Sequence, residues 1–271
     1  LIRVRWLGPA LSVLLAALSL LLFVRAIAPW NPIFESPFTP RVILGLGTWG
    51  KLFFLLVASA ASTLIVDRFE ADTPARLAWL LLSAGIVAIC LGQAVFATYQ
   101  FLLDTEMPYP SLADVFFMLS YPLVIGGLIL FLRAYKECGF PIGPSSERVW
   151  LGTAVALGCA VGGYPILKPL VTNPGEPLET LLNVLYPILD CMVLILAVLL
   201  IQISLRFRGG TVWRVWSLLL GGFICLCAGD TLFSYFLQFD WLELGDLVDV
   251  LFILGYGLIA LAVVYQRELV A

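Results

Sequence analysis

"WLLLSAGIVAICLGQAVFATY", residues 79–99, holds no charged side chain in 21 positions. As a helix rising 1.5 Å per residue, such a run covers about 30 Å, the thickness of a bilayer's hydrocarbon core. In lipid the backbone must satisfy its own hydrogen bonds, so a single run of this kind is read as a transmembrane helix. One amide, Gln93, stands inside it.

The whole chain agrees with this reading. Its 271 residues are 62% hydrophobic and 12% charged, about half the charge of a soluble domain. Mean hydropathy is +1.04. The sequence describes an all-α integral membrane protein. A window of about 19 residues gives eight spans, roughly 7–27, 42–66, 77–100, 112–134, 149–168, 180–205, 213–238 and 247–266. The fifth is the weakest, being glycine-rich and closed by Pro165 and Pro169. Loops such as "PWNPIFESPFTP" (29–40) and "NPGEP" (173–177) separate the spans. The first segment imitates a signal peptide, with Arg3 and Arg5 ahead of an apolar run and Ala26-Ile27-Ala28 behind it. Pro29 disfavours cleavage there, and a retained first span is expected.

Basic residues orient the spans. Arg3, Arg5, Arg68, Arg76, Arg133, Lys136, Arg148, Arg206, Arg208, Arg214 and Arg267 all fall on one side, with only Arg25, Arg41 and Lys168 on the other. The positive-inside rule then places both termini in the cytoplasm, and the location expected is the cytoplasmic (inner) membrane. The opposite loops are acidic, carrying Glu35, Asp104, Glu106, Glu176, Glu179, Asp240, Glu243 and Asp246, which solvation alone would explain.

Several chemistries are removed by composition. The chain has no histidine, so His-ligated haem, imidazole metal sites and His-based triads are absent from it. Its six cysteines lack paired zinc spacing. Gly162-Gly163 and Gly221-Gly222 sit in apolar spans, where small residues serve close packing rather than phosphate binding. Spans seven and eight contain no lysine for a retinal Schiff base. There is no nucleophile–base pair or cofactor fingerprint, so an enzyme is not expected, no cofactor or metal is assigned, and nucleic acid is not an expected partner.

The opening run has an echo. "WSLLLGGFICLCAGDTLFSYF", residues 216–236, sets Trp216 on Trp79, Gly229 on Gly92, Asp230 on Gln93 and Phe233 on Phe96. With a two-residue gap, "PSLADVFFMLSYPL" (110–123) falls on "GDLVDVLFILGYGL" (245–258), matching Asp114 to Asp249 and Tyr121 to Tyr256. Spans two and six match less well. A duplication of four spans is expected, with halves of about 1–138 and 139–271. An even number of spans per half makes the repeat parallel rather than inverted.

Ionisable residues inside spans cost several kcal/mol without a partner or water. Lys51, Asp190 and Asp230, with Gln93, fall in one layer of the outer half of the bundle. They could form a structural ion pair of Lys51 with Asp190 or Asp230, or line a ligand pocket. One lysine cannot neutralise two aspartates, so the second carboxylate needs a proton, water, a cation or a ligand's donor. Tyr99, Tyr121, Tyr235 and Tyr256, with Phe96 and Phe233, would suit the outer lining, although aromatics near span ends also serve as interfacial anchors. Asp114 and Asp249 are shallower and read first as helix-capping carboxylates, Ser111 being a suitable N-cap for Asp114.

The stretch 78–133, with its "PSLADVFFMLSYPL" signature, resembles the N-terminal membrane region of prokaryotic signalling proteins. In those proteins a multi-span domain precedes PAS, diguanylate cyclase or histidine kinase modules. "LYPILD" (185–190) and "GDLVDVLFILGYGLIAL" (245–261) look like the later spans of that family. The resemblance implies an eight-span sensory module, here followed by only a few residues and no output module. The expected function is a membrane-embedded sensory or ligand-binding module with its site in the polar layer. An accessory or structural subunit of a membrane complex, or a small-solute or ion transporter, are the alternatives. The partners expected are the lipid bilayer and either other membrane subunits or a cytoplasmic output module.

Overall fold

A computed structural model describes residues 6–27, 40–103, 105, 107–139, 145–172, 175–205, 208–238 and 245–270. Arg3, Arg5, Glu35, Asp104, Glu106, Arg206, Asp240 and Glu243 of the charge pattern lie outside these residues. The elements are α1 (Leu7–Ile27), α2 (Pro40–Val66), α3 (Pro74–Phe101), α4 (Leu112–Glu137), α5 (Ser145–Thr172), α6 (Pro177–Ser204), α7 (Thr211–Gln238) and α8 (Gly245–Val270). Most run a few residues beyond the hydropathy limits, because polar first turns and caps extend a helix past its apolar stretch. Thr73 caps α3 by accepting from the Arg76 N–H, with Pro74 in the first turn.

Seven helices are long and apolar enough to cross a membrane, which makes this a multi-pass membrane protein in contact with lipid. These are α1–α4 and α6–α8, counted among the described residues. α5 is a 28-residue helix with four glycines, two prolines and the charged residues Glu147, Arg148 and Lys168.

Six helices close a ring. Going round it, α2 packs on α3, α3 on α4, α4 on α6, α6 on α7, α7 on α8, and α8 on α2 again. α1 lies outside against α8, and α5 outside against α6, with lesser contact to α7. In this ring α2 stands opposite α6, α3 opposite α7, and α4 opposite α8.

Glycines set how closely two of these seams approach. A Cβ on Gly85 would meet Val124 at 2.7 Å and the Ser120 carbonyl at 3.3 Å. One on Gly222 would meet Ile259 at 2.7 Å and the Gly255 carbonyl at 3.0 Å. Further along, Gly92 receives the Phe117 ring and Gly229 the Phe252 ring. The α3–α4 and α7–α8 seams thus use residues that the sequence superposition already pairs.

Candidate functional site

Aromatic side chains cross the ring interior near one end. Phe131 of α4 lies edge-on between Trp79 of α3 and Trp216 of α7, 5.1 Å from each ring centroid. The indole Nε1 of Trp216 donates to the Tyr135 hydroxyl at 2.8 Å. This floor spans the ring from α3 through α4 to α7. From Trp79 it is 14 residues, about 21 Å along α3, to Gln93, where the interior turns polar.

Two seams carry the rim of this polar half. On α2–α8 the Lys51 ammonium donates to Asp249 at 2.7 Å. It lies 5.4 Å from the Phe96 ring centroid and 5.8 Å from that of Phe252. A lysine held by one carboxylate and two ring faces is a stable way to keep a cation in a membrane interior. On α4–α6 the Tyr186 hydroxyl donates to Asp114 at 2.9 Å. Asp114 also completes a capping box: its carboxylate accepts from the Ser111 N–H at 2.7 Å, and Ser111 Oγ accepts from the Ala113 N–H at 3.2 Å. The outer edge of this seam is tied by Tyr109, whose hydroxyl donates to Asn183 at 2.7 Å. Burial, with Asp114 and Glu179 nearby, pushes the Tyr109 phenol upward, so it stays a donor.

These seams correct two expectations. Lys51 pairs with neither Asp190 nor Asp230 but with Asp249, which the sequence suggested as a cap. Asp249 is the fifth residue of α8, one turn too deep to cap its start, and from there it meets the long lysine of the adjacent helix.

Deeper in the ring, Tyr121 of α4 donates to Asp190 of α6 at 2.7 Å, and Asp190 is only 7% exposed. Asp230 of α7 lies within electrostatic range of Asp190 and is half-buried. Among the described residues nothing donates a hydrogen bond to it. Tyr256 of α8, stacked on Phe252, lies in range of Asp230 and also of Asp190 on α6 and Cys90 on α3. Neither α6 nor α3 packs as a neighbour of α8. Side chains of non-adjacent helices therefore come into electrostatic range across the shared interior.

Gln93 points there too. On α3, Gly85 and Gly92 turn to α4, while Ser83 and Cys90 turn to Ser62 and Ser59 of α2. Leu77, Leu80 and Leu91 are exposed on the outside. Gln93 is two residues, about 200° of helix rotation, from Leu91, and so faces inward. It is 5% exposed, and its Nε2 has no hydrogen-bond partner.

Of the other expected lining residues, Tyr99 is half-buried near the end of α3, where its backbone carbonyl receives the Thr105 N–H. Tyr235 packs beside Phe236 on α7. No described contact brings either to the acids. Phe233 is exposed, unlike Phe96 beside Lys51. Tyr186 escaped the sequence reading, although "LYPILD" places it four residues before Asp190, on the same helix face. The aromatic floor escaped as well, since tryptophans in spans ordinarily read as interfacial anchors. Cys159 of α5 lies near Cys191 and Cys227. Among the described residues, no group of three or more His, Cys, Asp or Glu is disposed to hold a metal ion.

The arrangement is an aromatic floor beneath a polar layer, with Lys51 paired to Asp249 on one side and, among the described residues, two carboxylates without a basic partner on the other. No family model, no curated protein and no solved structure matches the chain.

Proposed function

We propose that the chain is a sensory membrane module whose polar ring interior receives a small ligand from the outer side of a cytoplasmic membrane. The observation that carries this is Asp190 and Asp230 lying in electrostatic range of each other and, among the described residues, without a basic partner. A carboxylate in a span needs a compensating group, and among the described residues only the Tyr121 hydroxyl donates to either acid. The floor favours a cup over a transport path, since a transporter needs polar continuity to both faces. The resemblance of 78–133 to the membrane regions of prokaryotic signalling proteins fits a sensory role.

The reading includes a 4+4 parallel duplication with both termini cytoplasmic. It is supported by the matched glycine–aromatic contacts of α3–α4 and α7–α8 and by the ring order, in which α2, α3 and α4 face α6, α7 and α8. Under this correspondence Lys51 answers to Tyr186 and Leu55 to Asp190. The two halves have thus become chemically unequal where a ligand would lie.

Thiol labelling tests the cup. In a background with the six native cysteines replaced, Asp230→Cys and Gln93→Cys should react in intact cells with a membrane-impermeant maleimide. Leu219→Cys, buried in a seam, should not. Absence of labelling at both interior positions from the outside would refute the outward-facing site.

A further inference from the structure

We infer that the ring interior binds a small organic ammonium that also carries a hydrogen-bond acceptor, with Asp190 and Asp230 facing the ammonium and Gln93 Nε2 donating to the acceptor. This rests on the reading of the interior as an outward-facing ligand site.

A count of charge leads there. Lys51 is committed to Asp249 at 2.7 Å, and Asp114 to Ser111 and Tyr186. Asp190 and Asp230 remain, within electrostatic range of each other and, among the described residues, with a single hydroxyl donor, Tyr121, which bonds Asp190. Two carboxylates in a membrane interior call for positive charge. A metal ion would need several converging ligands, and no such group exists among the described residues. A proton alone would serve the acids but not Gln93. That side chain is 95% buried on the inward face of α3, and its Nε2 has no acceptor. A buried donor left unpaired costs about 1–3 kcal/mol, so the site is incomplete without an oxygen or similar atom beside it. An organic ammonium supplies the charge, and a hydroxyl or carbonyl on the same molecule supplies the acceptor. Tyr121 and Tyr256 lie in electrostatic range of both acids, and aromatic rings suit a desolvated ammonium.

The opposition of Gln93 and Asp230 gives the ligand a direction. These residues occupy matching places on α3 and α7, which stand across the ring from each other. Were both carboxylates, the interior would be symmetric and would favour a cation alone. With an amide on one side and acids on the other, a molecule bearing two different ends is held in one orientation.

The test uses the full chain in lipid nanodiscs, with thermal unfolding read by tryptophan fluorescence. Ethanolamine hydrochloride should raise the melting temperature saturably. Ethylamine hydrochloride, which lacks the hydroxyl, should need about tenfold more for the same shift. Sodium chloride at equal ionic strength should have no saturable effect. Asp230→Asn should abolish the response to both amines, and Gln93→Leu should bring ethanolamine down to the level of ethylamine. A sodium response equal to that of ethanolamine would overturn the proposal, as would an ethanolamine response that survives Asp230→Asn. Stabilisation by ethylene glycol or acetate instead, lost on Tyr121→Phe, would keep the outward-facing site and overturn its ammonium chemistry. If no solute shifts the wild-type protein, the ammonium assignment falls, and maleimide labelling decides separately whether the site faces outward.

Discussion

Tyr186 donates to Asp114 across the α4–α6 seam at the place where, across α2–α8, Lys51 donates to Asp249. The same geometric task, holding a carboxylate of the first turns of a helix against its neighbour, is done by a phenol in one half and by an ammonium in the other.

Replacing Lys51 with methionine should therefore do more harm than replacing it with tyrosine. Methionine strands Asp249 beside an apolar helix, and removing one partner from a buried pair costs about 3–5 kcal/mol. Because the Asp249 side chain is 23% exposed, about 2 kcal/mol is expected. Lys51→Tyr should recover at least half of that, by analogy with Tyr186. Unfolding of the two variants in mild detergent measures the difference.

Tyr121→Phe should destabilise the protein by about 1–3 kcal/mol, since Asp190 loses its donor. Adding Asp190→Leu should return stability close to wild type. Leucine is what α2 carries at the corresponding Leu55, itself fully buried. A double variant no more stable than Tyr121→Phe would count against this pairing.

Gly85→Ala and Gly222→Ala should each cost about 1–3 kcal/mol, since the new methyl meets the backbone of the facing helix as well as a side chain. Gly158→Ala and Gly162→Ala on α5 meet nothing within 4 Å and should be neutral or slightly stabilising. Parallel melting curves of the four variants are the measurement.

Trp216→Ala should breach the floor, removing one side of the Trp79–Phe131–Trp216 stack and the bond to Tyr135. In inverted vesicles of the cysteine-replaced background, Asp230→Cys should then become reactive to impermeant maleimide from the inner face. It should stay unreactive there while Trp216 is intact.

Length and hydropathy made the helices legible, because a bilayer demands about 20 apolar residues whatever their order. The superposition of Trp79 on Trp216 and Gly92 on Gly229 also held information about packing, since glycine in a span is costly unless a neighbour uses the space. Pairings between helices were harder to read. Nothing in one dimension says that Lys51 reaches Asp249 rather than Asp190. A lysine's long stem lets its head settle a turn or more from its own Cα, and the choice is made by which helices adjoin. Tyr186 and Phe131 were hidden for a related reason: aromatic residues in spans look alike whether they anchor at the interface or stack inside. The weakness of α5 was visible as glycine and proline, but its position off the ring was not.

That position sets the two halves in different surroundings. α1 covers α8, where Leu15 sits against Gly257 and Val250 is 6% exposed. The matching Val115 of α4 is 60% exposed, because α5 lies against α6 and α7 instead. One long helix of the ring is thus clamped by protein on both sides, while its twin has lipid for a backing. Acyl chains yield where a helix does not, so α4 is the compliant wall of the ring and α8 the rigid one. Backbone amides of α4 should accordingly exchange with deuterium sooner than those of α8.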